Sequence, residues 1–362
     1  GKYNEVAQLA RQWNDSPGVL LQTALALSTI NPGAALATVL HVLEQPKPNP
    51  LAFAVLALVN FKRGDFLLAS EALENAISIW PNEPDWHIWA AEQYELLDRL
   101  DLAEQHLIAA AQLLPGSLDI TLKHARLLGL MGNYWDAAEA LEDAAKGDPG
   151  CLEIWLQLGN FRQALGDHQN ALRCAEKVID LDENSSAGLE LAGNTALILG
   201  QSEKAYRYVL RALNINPKSL MLELLLCRVL ITSQRRSEAL DNLTKINPGD
   251  ISSPDQAAIF IECLINLRGS SAAKPTLDDF LKLFPDNPIL CRLSALSLME
   301  ENRLAEAEIL VATALKADPS NTDLRLLDGQ ILRQIGQLDM AIHQLSESIR
   351  LMPSLLDAYL EL

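Results

Sequence analysis

The sequence predicts an all-α fold, a right-handed α-solenoid of stacked helix-turn-helix repeats. Three observations carry that prediction. Prolines stand at Pro81, Pro115, Pro149, Pro217, Pro285, Pro319 and Pro353, with gaps of 34, 34, 68, 68, 34 and 34 residues, and a fixed period over most of a chain marks a repeat array. Small residues keep the same period: Ala69, Ala103, Ala137, Ala171, Ala205, Ala239, Ala307 and Ala341 form one column, and Ala57, Ala91, Ala125, Gly159, Gly193, Ala295 and Gly329 another. Gly64, Gly132, Gly166, Gly200 and Gly336 break their repeats near the middle.

Within each half-repeat, apolar residues recur at three and four, the spacing of an amphipathic helix. Each repeat should therefore run helix, tight turn, helix, proline turn. The mid-repeat glycine suits the left-handed residue that ends a first helix, and the proline stops the second. The small columns let two helix backbones approach, while Leu73, Leu107, Leu141, Val209, Val311 and Leu345 fill the space between them. In chain order, residues 1–49 read as a degenerate N-terminal helical cap, ending in an extended link forced by the prolines of 45–50. Residues 50–353 hold nine repeats, irregular over 218–285. There Pro248 follows Pro217 by 31 residues and Pro285 follows by 37 more. The seventh repeat places Ile261 and Phe280 where small residues belong, and Pro248–Pro254 and Gly269–Pro275 are expected as loops around its first helix. Residues 354–362 start a further helix with no polar cap, so the sequence is expected to be cut from a longer chain.

Residues Trp155–Asn184 (WLQLGNFRQALGDHQNALRCAEKVIDLDEN) and Leu189–Pro217 (LELAGNTALILGQSEKAYRYVLRALNINP) resemble the tetratricopeptide repeat. Trp155, Leu158, Gly159, Gly166 and Ala171, then Gly193, Gly200, Ala205, Ala212 and Pro217, stand at that family's marker places, and the resemblance extends over 50–353. It implies a non-enzymatic scaffold or adaptor that binds a peptide or protein segment in a concave groove lined by the first helices. Carried onto this chain, the groove places are Trp89, Glu92 and Glu95, then Lys123 and Arg126, then Gln157, Asn160 and Gln163. After them come Glu190, Asn194, Arg228, Arg292, Gln330 and Arg333. Leu122, Leu156, Leu191, Leu224, Leu225, Leu293 and Leu326 between them imply an apolar floor. On that surface Asn160 and Asn194 would hold peptide backbone, Arg126, Arg228 and Arg292 would fork onto carboxylates, and Trp89 would anchor a ligand. Two ligand sets of the family are not matched. The lysine places of its chaperone-tail clamp hold Leu156 and Glu190, and only Gln157 resembles a rung of the asparagine ladder of its sugar-transferring members.

Composition narrows the partners. The chain has 29 Lys and Arg against 47 Asp and Glu, a net charge of −18. That balance argues against nucleic acid, which needs a basic stripe, and against anionic membranes; it fits a basic partner. No apolar run is long enough to insert in a bilayer. Five cysteines without CxxC spacing read as reduced thiols of a cytoplasmic protein. GxSxG, HExxH, P-loop and GxGxxG signatures are absent, and the six histidines show no i, i+4 pair, so neither catalysis, metal nor cofactor is expected. Two other readings stand beside the scaffold. The array is the recruiting or regulatory arm of a larger enzyme, such as a glycosyltransferase or protease, or it self-associates through its uncapped C-terminal end.

Overall fold

The computed structural model describes residues 17–44, 49–352 and 356–362. The residues before Pro17, the link at 45–48 and Pro353 lie outside the described residues. Among the described residues every regular element is helical, with 21 α-helices and one 3-10 turn. The all-α expectation is met.

The chain forms two compact units, Gly1–Leu181 and Asp182–Leu362. The first holds α1 (Pro17–Ser28), α2 (Pro32–Leu43), α3 (Pro50–Arg63), α4 (Phe66–Ile79), α5 (Pro84–Leu96), α6 (Leu100–Leu113), α7 (Leu118–Leu130), α8 (Tyr134–Gly147), α9 (Leu152–Ala164) and α10 (His168–Leu181). The second holds α11 (Ser186–Ile198), α12 (Ser202–Ile215), α13 (Leu220–Thr232), α14 (Arg236–Leu243), α15 (Pro254–Arg268), α16 (Ser270–Leu283), α17 (Pro288–Glu300), α18 (Leu304–Ala317), α19 (Thr322–Ile335), α20 (Leu338–Leu351) and α21 (Leu356–Glu361). Inside each unit, odd and even helices pack as hairpins, and each hairpin packs on the next. Turns this short leave paired helices no choice but to run antiparallel. Starts are fixed by caps: the side chains of Asn31, Asn49, Ser185, Ser219, Asn287 and Asn321 each accept a first-turn N–H.

The first helices end in one recurring device. Backbone φ is positive at Gly64, Asp98, Gly132, Gly166, Gly200, Gln234, Asn302 and Gly336, all in register at multiples of 34 residues. Glycine adopts this left-handed conformation freely; Asp98, Gln234 and Asn302 adopt it against the clash of a Cβ with the backbone. The chain can then reverse within three residues, and the small columns meet across the hairpin. Ala69, Ala137, Ala171, Ala205, Ala239, Ala307, Ala57, Ala125 and Ala295 are all fully buried. Gly193 and Gly329 are placed so that an added Cβ would come within 2.7 Å of Val209 Cγ2 and 2.6 Å of Leu345 Cγ respectively.

The irregular stretch departs from one expectation. Pro248–Asp250 is a 3-10 turn, and Ile246 and Ile251 are buried beneath the shortened α14. Gly269–Pro275, expected as a loop, is not one. Gly269 alone breaks the chain (φ 89°), and α16 begins at Ser270 with Pro275 inside it. Proline within a helix costs about 3 kcal/mol. Here Ala273, Leu277 and Phe280 lie on one buried face of α16, and burying each large apolar side chain contributes about 1.5–3 kcal/mol. Burial overrides the local Gly/Ser/Pro signal. Phe280 meets Phe260 edge-on at 6.2 Å, so aromatic bulk replaces the small-residue contact of the other hairpins.

A polar joint ties the second hairpin to the third. His87 Nδ1 and His106 Nδ1 lie 3.1 Å apart, His87 Nε2 is 3.1 Å from the Pro81 carbonyl oxygen, and His106 Nε2 is 2.9 Å from Glu74 Oε1. The Tyr94 hydroxyl donates to the same Glu74 oxygen at 2.9 Å. Burial, then that bond, push the Tyr94 hydroxyl up to about 12.

Replacing Gln234 with glycine should raise stability by roughly 0.5–1 kcal/mol, the left-handed penalty relieved less the entropy glycine loses. Gly193→Ala should lower it by about 1–3 kcal/mol through overpacking against Val209. Urea denaturation followed by circular dichroism checks both; the opposite order of midpoints would mean that the turn and the small column do not set the hairpin.

Candidate partner-binding face

The residues expected to line a groove all lie on first helices: Trp89 on α5, Lys123 and Arg126 on α7, Gln157 and Asn160 on α9, Asn194 on α11, Arg228 on α13 and Arg292 on α17. Their surroundings divide them into two groups.

In the first group the charge is already matched within the chain. Lys123 Nζ donates to Glu92 Oε1 at 2.7 Å, a bond that raises the Lys123 ammonium above its ordinary value. Arg126 forks onto Glu95, with Nη1 to Oε1 at 2.7 Å and Nη2 to Oε2 at 2.6 Å. The second unit repeats the arrangement. Arg292 Nη2 lies 3.9 Å from Glu262, Gln330 donates to Glu361 Oε1 at 3.1 Å, and Arg333 lies 2.7 Å from Glu361 Oε2. Each contact joins one first helix to the next. Pairs this exposed contribute about 0–1 kcal/mol each, so their main effect is to occupy charges. In the chain by itself the Arg126 fork is thus taken by Glu95, which holds the guanidinium in bidentate geometry.

The apolar floor is corrected. Leu191, Leu224, Leu225 and Leu293 are buried in the core; only Leu122, Leu156 and Leu326 stay partly open. Helices packed at hairpin distance cover the first four, and a floor survives only where a neighbour leaves a gap. Trp89 is half-buried against the cluster of Ala57, Leu73 and Trp86, with Phe53 beside it.

The second group has unmet capacity. Gln157 Nε2 donates to Glu153 Oε1 at 2.8 Å, but its Oε1 is buried without a hydrogen bond. Asn160, one turn on, is exposed. In the second unit, Asn194 and Arg228 are half-buried at equivalent places on α11 and α13, which pack together. Glu190 lies one turn before Asn194, and burial raises its carboxyl above the usual range. A face with amide donors and acceptors beside an arginine suits the alternating N–H and C=O groups of an extended peptide.

Sequence reasoning missed Asp328. It sits on α19 in the column that Leu158, Ala192, Leu226 and Phe260 occupy in other repeats. It is 3 % exposed, and its Oδ1 makes no hydrogen bond. Burial first, then repulsion from Glu308, push its carboxyl up to about 6 against a partial offset from Arg325. A carboxylate in a column that is mainly apolar, His124 and Ser294 being its other polar members, was the available signal. His124 is half-buried with Nε2 3.8 Å from Glu104 Oε1. Among the described residues no His, Cys, Asp and Glu cluster fits a metal ion, and no helix is long and apolar enough to cross a membrane.

Comparison with known proteins bears on the fold. Tetratricopeptide repeat family profiles match residues 152–185, 264–322 and 292–354. A crystal structure of a tetratricopeptide repeat protein from Parabacteroides merdae superposes with a TM-score of 0.59 at 14% identity, covering 69% of this chain and 98% of its own. The Naa15/Naa10 structure bound to HypK-THB aligns at a TM-score of 0.45 and 16% identity, over 96% of this chain and 60% of that one. MamA from Desulfovibrio magneticus RS-1 aligns at 0.44 and 14% identity, over 47% of this chain and 96% of its own. Scores below 0.5 add nothing to the argument. No curated protein matches the chain in sequence.

The Asp328 carboxyl makes stability depend on pH with a definite sign. Its folded value lies above its unfolded one, so the folded protein holds the proton more tightly. Below the ordinary value of about 3.9 there is no penalty; above about 6 the charge must stay buried. Asp328→Asn should therefore be more stable than the parent at pH 8, by at most about 3 kcal/mol, with the difference shrinking as pH falls from about 6 to about 4. Paired urea titrations at pH 4 and pH 8 measure it; a difference independent of pH would remove the buried charge as its cause.

Proposed function

The chain is a tetratricopeptide repeat protein, and we propose that it works as a non-enzymatic scaffold, binding an extended segment of a partner protein along its first-helix face. The carrying observation is the split between satisfied and unsatisfied polar groups on that face. Ion pairs occupy Lys123 and Arg126. Gln157, Asn160, Asn194 and Arg228 stand on the same helix set with hydrogen-bonding capacity to spare. Buried polar atoms are ordinarily satisfied, so the orphan Gln157 oxygen marks a place where a backbone N–H of a ligand would fit.

In this reading residues 50–353 act as nine repeats and the helices within 1–49 close one end of the array. The groove residues in this reading are Trp89, Lys123, Arg126, Gln157 and Asn160 in the first unit, and Asn194, Arg228 and Arg292 in the second. Affinity comes from amide contacts to peptide backbone and from Arg228, while Trp89 and the half-open Leu122 and Leu156 supply apolar contact. The five cysteines are unpaired, which fits a reducing compartment such as the cytoplasm.

The test compares the parent with an Asn160→Ala, Asn194→Ala, Arg228→Glu variant in affinity capture from native lysate, with bound proteins identified by mass spectrometry. A protein held by the parent and lost by the variant, whose melting curve should stay within about 1 kcal/mol of the parent, is the expected result. Equal capture by both would remove this face as the binding surface.

A further inference from the structure

A second surface stands apart from the first-helix face. Between α8, α9 and α10 the first unit opens into a cleft of about 570 Å³, within the range of ligand-binding pockets. Two of its three walls, α8 and α10, are second helices. Leu158 and Cys174 are buried at its base, and Trp155 forms a side. The indole is held in place by its Nε1 donating to the Pro149 carbonyl oxygen at 2.9 Å. A ligand would therefore meet a fixed aromatic wall and not lose affinity to ordering it.

The charge of this cleft runs against that of the chain. Lys146, Arg162, Arg173 and Lys177 line it against one carboxylate, Glu142, in a protein with a net charge of −18. Arg162 is matched by Glu142 and by Asp167 at 3.6 Å, and Lys146 by Asp143 at 2.6 Å. The other two are not matched. Arg173 Nη1 donates only to the neutral Asn170 Oδ1 at 3.2 Å, and Lys177 has no ion pair or hydrogen bond among the described residues. Arg173 and Lys177 lie one turn apart on α10, where like charges repel.

We propose that this cleft binds a short acidic segment of a partner protein, one that sets a Leu or Phe side chain between Trp155 and Leu158 and places carboxylates on Arg173 and Lys177. Two uncompensated cations suit one or two carboxylates. They fall short of the roughly 6–10 phosphate contacts that hold a nucleic-acid strand. The site is independent of the groove residues Asn160 and Asn194, so the two surfaces admit two segments.

Fluorescence anisotropy with fluorescein-labelled EDLFDE, and with KKLFKK and EDGGDE as controls, tests it on the full chain. Saturable binding of EDLFDE alone is expected. The affinity should fall about 10-fold or more in Arg173→Glu, Lys177→Glu, weaken with added salt, and persist in Asn160→Ala, Asn194→Ala. A melting curve of the charge-reversed variant matching the parent excludes unfolding, and a Lys177→Gln variant should bind with intermediate affinity. Absence of EDLFDE binding, equal binding by the charge-reversed variant, or tighter binding of a single-stranded oligothymidylate would each overturn the proposal.

Discussion

The contact between two short helices joined by a left-handed residue is what the rest of this chain depends on. Helices of 13 or 14 residues, such as α5 and α9 or α4 and α12, are marginal alone in water. They persist because the turn folds each onto a partner and the alanine and glycine columns let the backbones close. A hairpin still leaves one apolar side open, which the next hairpin covers, so stability accrues between neighbours along each unit. The same chain of contacts fixes the pitch at which first helices follow one another, and with it the spacing of every side chain on their shared face.

That spacing explains the ion pairs. A carboxylate on one first helix repeatedly reaches a cation or amide about one turn earlier on the following one: Glu92 with Lys123, Glu95 with Arg126, Glu262 with Arg292. At these places the charges are matched within the chain. Hydrogen-bonding capacity is left at Gln157 and Asn160 in the first unit and at Asn194 and Arg228 in the second. In the proposed readings, the first-helix positions would read a segment's backbone more than its net charge, and the α8–α10 cleft would select for charge.

The sequence revealed the helices, the hairpin turns and the first-helix positions of the candidate residues, since period and composition encode them. What it left hidden was three-dimensional. The turn at Gln234 and the one at Asn302 carry no glycine, and only their register betrays them. Ser270–Pro275 reads as a loop until the buried face of Ala273, Leu277 and Phe280 is seen. Leu191 and Leu225 sit at groove places by register, yet packing removes them from the surface. Pairing between Glu95 and Arg126 spans 31 residues, a separation no local pattern announces. The cleft beside Trp155 is assembled from three helices, and its one sequence trace is the unneighbourly pair Arg173 and Lys177. Asp328 stands in a mainly apolar column, but only the fold shows that it is buried.

The histidine joint between the second and third hairpins couples two rings. At one end the Pro81 carbonyl only accepts, and at the other the Glu74 oxygen accepts. Between them lie the four nitrogens of two imidazole rings, with the two Nδ1 atoms facing each other. Of the two facing Nδ1 atoms one donates and the other accepts, so the tautomer of one ring sets that of the other. The seam thus runs as one polar thread from the Pro81 carbonyl through both rings to Glu74.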